Sequence, residues 1–73
     1  MRLDEAPIGS RMHVTGAPPD ARAARLLATL GVAPGATIEI VQRTAFGGRV
    51  VAIGADRVAL DNGTCRKIIV EAP

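Results

Sequence analysis

Aromatic side chains are almost missing from this 73-residue sequence: it has one Phe and neither Tyr nor Trp. Binders of single-stranded nucleic acid stack bases on aromatic rings, so that class loses its usual equipment. The charge balance adds little, since nine bases against seven acids leave +2, too mild for a DNA footprint. There is one Cys and one His. An intrachain disulfide and a Cys/His structural zinc site are therefore excluded. No apolar run approaches the ~20 residues that cross a bilayer, so direct membrane insertion is not expected. The opening MRLDEAPIGS has acids straight after Arg2 and no apolar core of a secretory signal. With no disulfide to form, a reducing cytoplasm is the expected location.

Catalytic constellations are missing too. A hydrolytic triad needs a nucleophile, an oriented base and a donor pocket. Cys65 and His13 lie far apart, and Ser10 and His13 are three apart on an extended segment, which points them to opposite faces. No GxxxxGK[ST] phosphate loop occurs, so GTP hydrolysis by this chain is not expected. Gly47-Gly48 reads as turn glycine rather than a phosphate cradle. An enzyme is the least supported class.

What is present is aliphatic: 48% of the residues are hydrophobic and 22% charged, a globular balance. A chain this short buries only roughly 60% of its unfolded surface, so one domain over residues 1–73 is the expected organisation. One helix is signalled. Asp20 follows Pro18-Pro19 as an N-cap, and Ala23, Leu26, Leu27 and Leu30 fall on one apolar face. Gly31 stands at the left-handed C-cap position, with Pro34 beyond it. The leucines are core residues first, and Leu27 is the one expected to remain partly exposed as a contact.

Alternation marks five short strands. Met12 and Val14 point inward within Arg11–Thr15, and Ile38 and Ile40 within Thr37–Thr44. Val51 and Ile53 do so within Arg49–Ile53, Val58 and Leu60 within Arg57–Asp61, and Ile68 and Val70 at the end of the chain. Phe46-Gly47-Gly48 reads as a hairpin-like loop and Asn62-Gly63 as a turn. Five close-spaced strands with one early inserted helix predict a mainly β fold, a small bent barrel whose closure removes exposed edges.

The run from Arg25 to Ile40, RLLATLGVAPGATIEI, resembles the signature of the FeoA family, ferrous iron transport protein A. Phe46-Gly47-Gly48, Val58-Ala59-Leu60 and the closing Ile68 and Val70 are similar to further pieces of the family pattern, as are Leu3 and Ile8-Gly9 at the start. Cys65 stands where the family usually has a small residue such as Ala. The resemblance implies an SH3-like β-barrel and a non-enzymatic cytoplasmic accessory of FeoB, a membrane Fe²⁺ transporter with a GTP-binding domain. The same barrel forms the C-terminal domain of DtxR-type metal-dependent repressors, so a metal-responsive regulatory domain is the alternative.

Eight of the nine bases are Arg, which suits docking onto carboxylates. Arg22 and Arg25 share a helix face, while Arg43 and Arg49 flank the Phe46 loop. Phe46 is either a lid over the barrel or an exposed anchor. The lid is the preferred reading, because exposing an aromatic without using it is unfavourable. Together Arg22, Arg25, Leu27, Arg43, Phe46 and Arg49 form the expected partner surface. His13 lies on the outward face of its strand with only scattered acids around it, so a metal-bridged or weak homo-oligomeric contact through it is favoured over a dedicated iron site. Cys65 reads as a buried small hydrophobe. No cofactor is implied.

Overall fold

A computed structural model describes all 73 residues. The strands are β1 (Arg11–Gly16), β2 (Thr37–Arg43), β3 (Arg49–Ile53), β4 (Asp56–Leu60) and β5 (Ile69–Glu71). They form one antiparallel sheet in the order β4-β3-β2-β1-β5. Helix α1 (Ala21–Thr29) joins β1 to β2, and a single turn of helix, α2 (Asn62–Cys65), precedes β5. Register shifts between Val14 and Gly16 and between Ile40 and Gln42 mark irregularities of the kind that increase strand bending.

Alternation accounts for the core. Met12, Val14, Ile38, Ile40, Val51, Leu60 and Val70 are buried, and residues of all five strands meet in one cluster with Leu3, Leu27, Val32, Cys65 and Ile68. A sheet whose inner residues all converge on one cluster must bend around it, as the mainly β reading expected. Ile53 and Val58 are only partly buried at its margin.

Closure of the edges takes a different form from simple strand pairing. β4 and β5 are the two ends of the sheet. The free side of β5 is covered by the N-terminal segment: Val70 N–H donates to the Met1 carbonyl at 2.8 Å, and Leu3 N–H donates to the Ile68 carbonyl at 2.9 Å. The outer side of β4 has no strand against it.

Helix α1 begins as expected, with the Asp20 carboxylate accepting from Arg22 N–H at 3.0 Å. Gly31 takes φ +92 just past its end. Its apolar face is rotated from the expected one. Leu27 is the helix's only buried residue, with Ala23 and Ala24 half-buried beside it. Leu26 and Leu30 are 62% and 49% exposed. Leu27 is thus an anchor and not the exposed contact. Residues 23, 24 and 27 lie on one side of a 100°-per-residue wheel, and docking on that side turns Leu26 outward.

The turn expected at Asn62-Gly63 is the single helical turn α2. Asp61 caps α2 there, accepting from Thr64 N–H at 2.7 Å. An Asp ahead of Asn-Gly-Thr competes for the same backbone as a turn, and the cap wins because Cys65 and Ile68 must both reach the core.

Candidate functional site

The connection between β2 and β3 holds the most unusual residue. Thr44 N–H donates to the Gly48 carbonyl at 3.0 Å, closing a short loop. At its tip Phe46 has φ 61 and ψ 28, the left-handed region that side chains rarely occupy. Phe46 is 98% exposed. The lid reading therefore fails: a ring this exposed is not packed over the barrel, and the residue stands at the edge of a groove instead. An open groove of about 550 Å³ runs there, lined by Phe46 itself with Thr44, Ala45, Ala59, Leu60 and the Asp61–Gly63 segment.

Arg49 explains how that loop is held. Its side chain is buried, 6% exposed, and not part of the surface. Nη1 donates to the carbonyls of Gly47 at 2.6 Å and Gly48 at 3.0 Å, and Nη2 donates to the carbonyl of Asp4 at 2.8 Å. Nε meets no acceptor. The guanidinium fork fixes three carbonyls from two segments at once, which a single ammonium could not do. The expected surface arginine is thus a buried one. Arg49 is two residues before Val51, so strand alternation already placed it inward.

Arg43, the cross-strand partner of Arg49, is exposed at the other root of the loop. Arg22 and Arg25 are both exposed on α1. The ion pairs of the chain are those of Arg2 with Asp4 and Glu5, so Arg22, Arg25 and Arg43 have no internal carboxylate partner. The fold thus splits the expected surface into a loop group, Arg43 and Phe46, and a helix group, Arg22 and Arg25. The helix group also contains Leu26 and Leu30, which were expected in the core.

His13 is exposed on β1, its Nδ1 3.0 Å from the Thr37 hydroxyl on β2, and Glu71 is its cross-strand neighbour on β5. No three His, Cys, Asp or Glu side chains are grouped to hold a metal ion. Cys65 is fully buried, with its Sγ 3.7 Å from the Leu60 carbonyl. Burial pushes its thiol pKa up, and the nearby Arg49 charge opposes that only in part. It is therefore a packing residue rather than a nucleophile. No helix is long and apolar enough to cross a membrane.

The FeoA domain family matches residues 1–72. Among solved structures, an iron uptake regulatory protein (FeoA) is 26% identical, with 96% of this chain and 92% of that one covered at a TM-score of 0.82. A Stenotrophomonas maltophilia FeoA complexed with zinc, a prokaryotic SH3 domain protein, is 28% identical over 97% of this chain and 89% of that one, at a TM-score of 0.77. A manganese-dependent transcriptional repressor, 21% identical, shares the fold over all of this chain and 41% of its own length at a TM-score of 0.86. A search of curated proteins found no match.

Proposed function

The chain belongs to the FeoA family of ferrous iron transport accessories, and from that premise we propose that it binds the cytoplasmic part of a FeoB-type Fe²⁺ transporter, which carries a GTP-binding domain, and supports its assembly or activity. It acts in the cytoplasm as a non-catalytic interaction module. The observation that carries this reading is Phe46. A fully exposed Phe in a left-handed conformation costs on the order of 1 kcal/mol or more in backbone strain and gains nothing from burial. A buried arginine holds the loop in that shape. Aromatic side chains anchored this way recur as interface hot spots. The zinc-bound relative has itself been put forward as a ferrous iron transport activating factor. Arg43 at the loop root adds a cation for an acidic rim on the partner. The test is retention of the transporter from detergent-solubilised membranes by the tagged chain. Retention that weakens for Phe46→Ala supports the reading, and failure to retain the transporter at all removes it.

A second reading, a metal-responsive regulatory domain, draws on His13 standing beside Glu71. It requires saturable Fe²⁺ or Mn²⁺ binding that is lost in His13→Ala, and a flat titration would dismiss it.

A further inference from the structure

We propose that the outward stripe of α1, in which Arg22, Leu26 and Leu30 line up with Arg25 beside them, is the docking face for an acidic segment of the partner protein that carries aliphatic side chains. The proposal rests on the accessory reading above and names a surface within it.

Residues four apart on a helix stand one above the other, so Arg22, Leu26 and Leu30 form a continuous row. Leu26 is 62% and Leu30 49% exposed, while Leu27 alone anchors the helix to the core. The leucines of the row therefore contribute little to folding. Both ends of the helix beneath them are fixed. Asp20 caps its start, and Val32 N–H returns to the Leu27 carbonyl at 2.9 Å past its end. A Cβ on Gly31 would come within 3.1 Å of Ile53 Cγ2, so glycine there lets the helix end approach β3 closely. A preordered platform loses little entropy on binding.

Charge decides the occupant. Between Ala21 and Thr29 there is no Asp or Glu, and Arg22 and Arg25 pair with no carboxylate elsewhere. Two unneutralised guanidinium groups beside two exposed leucines match an acidic segment with apolar side chains. A second copy of this chain fits worse, because an isologous contact would bring four such arginines together with only the two Asp20 carboxylates, each already accepting from an Arg22 N–H, to offset them. A lipid surface fits worse as well: two leucines on a nine-residue helix offer far less apolar area than membrane-lying helices use.

The experiment is titration of the ¹⁵N-labelled chain with the soluble cytoplasmic domain of the transporter, followed residue by residue. Shifts concentrated on Arg22–Leu30 are expected, with affinity falling at least about tenfold in Arg22→Glu/Arg25→Glu, and with the parent's affinity, but not the variant's, falling as salt is added. That double variant keeps the fold, since acids near the start of a helix are favourable. Binding that shifts only other residues, or that the double variant leaves undiminished, overturns this proposal while the accessory reading stands. Absence of any binding overturns both. Concentration-dependent shifts of the same face without the domain, or its binding to anionic vesicles but not to the domain, would assign the face to a second copy or to a membrane and overturn the acidic partner.

Discussion

Arg49 Nη2 donates to the main-chain carbonyl of Asp4 at 2.8 Å, across 45 residues of sequence. The same guanidinium holds the Gly47 and Gly48 carbonyls, so one side chain ties the β2–β3 loop to the N-terminal turn. Arg49→Ala removes all three bonds: the part-buried Gly47 and Asp4 carbonyls lose this donor, while the Gly48 carbonyl keeps the Thr44 N–H. The expected cost is on the order of 3 kcal/mol, and at roughly 4–8 °C per kcal/mol for a domain this small the melting temperature falls by well over 10 °C. Arg49→Lys recovers only part of this, since one ammonium cannot span both segments. Thermal denaturation by circular dichroism decides it; a loss under about 1 kcal/mol would mean that the clamp is dispensable.

Gly48 and Gly63 separate close approach from mere flexibility. A Cβ on Gly48 would collide with the Thr44 hydroxyl and come within 2.6 Å of the Leu60 carbonyl, which is backbone and cannot swing aside. On Gly63 the nearest atom is the Asp61 carboxylate oxygen, at 3.7 Å. Gly48→Ala is expected to destabilise by about 2 kcal/mol or more, through strain at the loop. Gly63→Ala is expected to be neutral or to stabilise by up to about 1 kcal/mol, because Ala restricts the unfolded chain. Urea midpoints for the two variants check this, and equal effects would remove the distinction.

Strand positions were legible because burial follows a period of two: Met12 and Val14, Ile38 and Ile40, and Ile68 and Val70 all point inward as the pattern required. The helix ends were legible from Asp20 and Gly31. What the pattern could not supply was rotation. A stripe of Leu26, Leu27 and Leu30 is broad enough to dock on either side, and only the packing of Ala23, Ala24 and Leu27 settles which. Arg49 was legible by parity and was overruled by its charge. The exposed Phe46 was one of the two readings its loop offered, but its left-handed backbone was not legible, since nothing local signals that conformation for an aromatic.

Phe46→Gly is a test of that strain. Glycine occupies φ 61 without penalty, and the Phe ring buries almost nothing. The variant is expected to be as stable as the parent to within about 1 kcal/mol, the relief of strain offsetting the extra freedom of glycine when unfolded. It is expected to retain less transporter in the same pull-down. A large loss of stability by urea denaturation would show that the ring packs after all.

Two groups give the stability opposite pH limits. Hydrogen bonds from Thr64, with help from Lys67, hold the Asp61 carboxyl below its ordinary range. A lowered carboxyl stabilises the fold above the unfolded value, near 3.9, and that contribution is lost as pH falls through the folded value. Asp61→Asn keeps a cap but no charge, so its deficit against the parent should close below about pH 4. Burial raises the Cys65 thiol, so its contribution is full below the unfolded value near 8.5 and disappears as pH rises through the folded one. Cys65→Ala should lessen the alkaline loss. Denaturant midpoints across pH measure both, and parallel curves for variant and parent would contradict the assignments.

Leu26 and Leu27 are adjacent in sequence and opposite in role, which gives the sharpest separation of folding from binding. Leu27 is 6% exposed within the core cluster, and truncating it leaves a cavity under α1. Leu27→Ala is expected to cost about 2–5 kcal/mol. Leu26 is 62% exposed, and Leu26→Ala should change stability by less than about 0.5 kcal/mol. Its effect should instead appear as weaker binding of the transporter's cytoplasmic domain. If Leu26→Ala destabilised the fold as much as Leu27→Ala, the helix would be docked through the Leu26 side. The Arg22–Leu26–Leu30 row would then be core, and its availability to a partner would vanish with it.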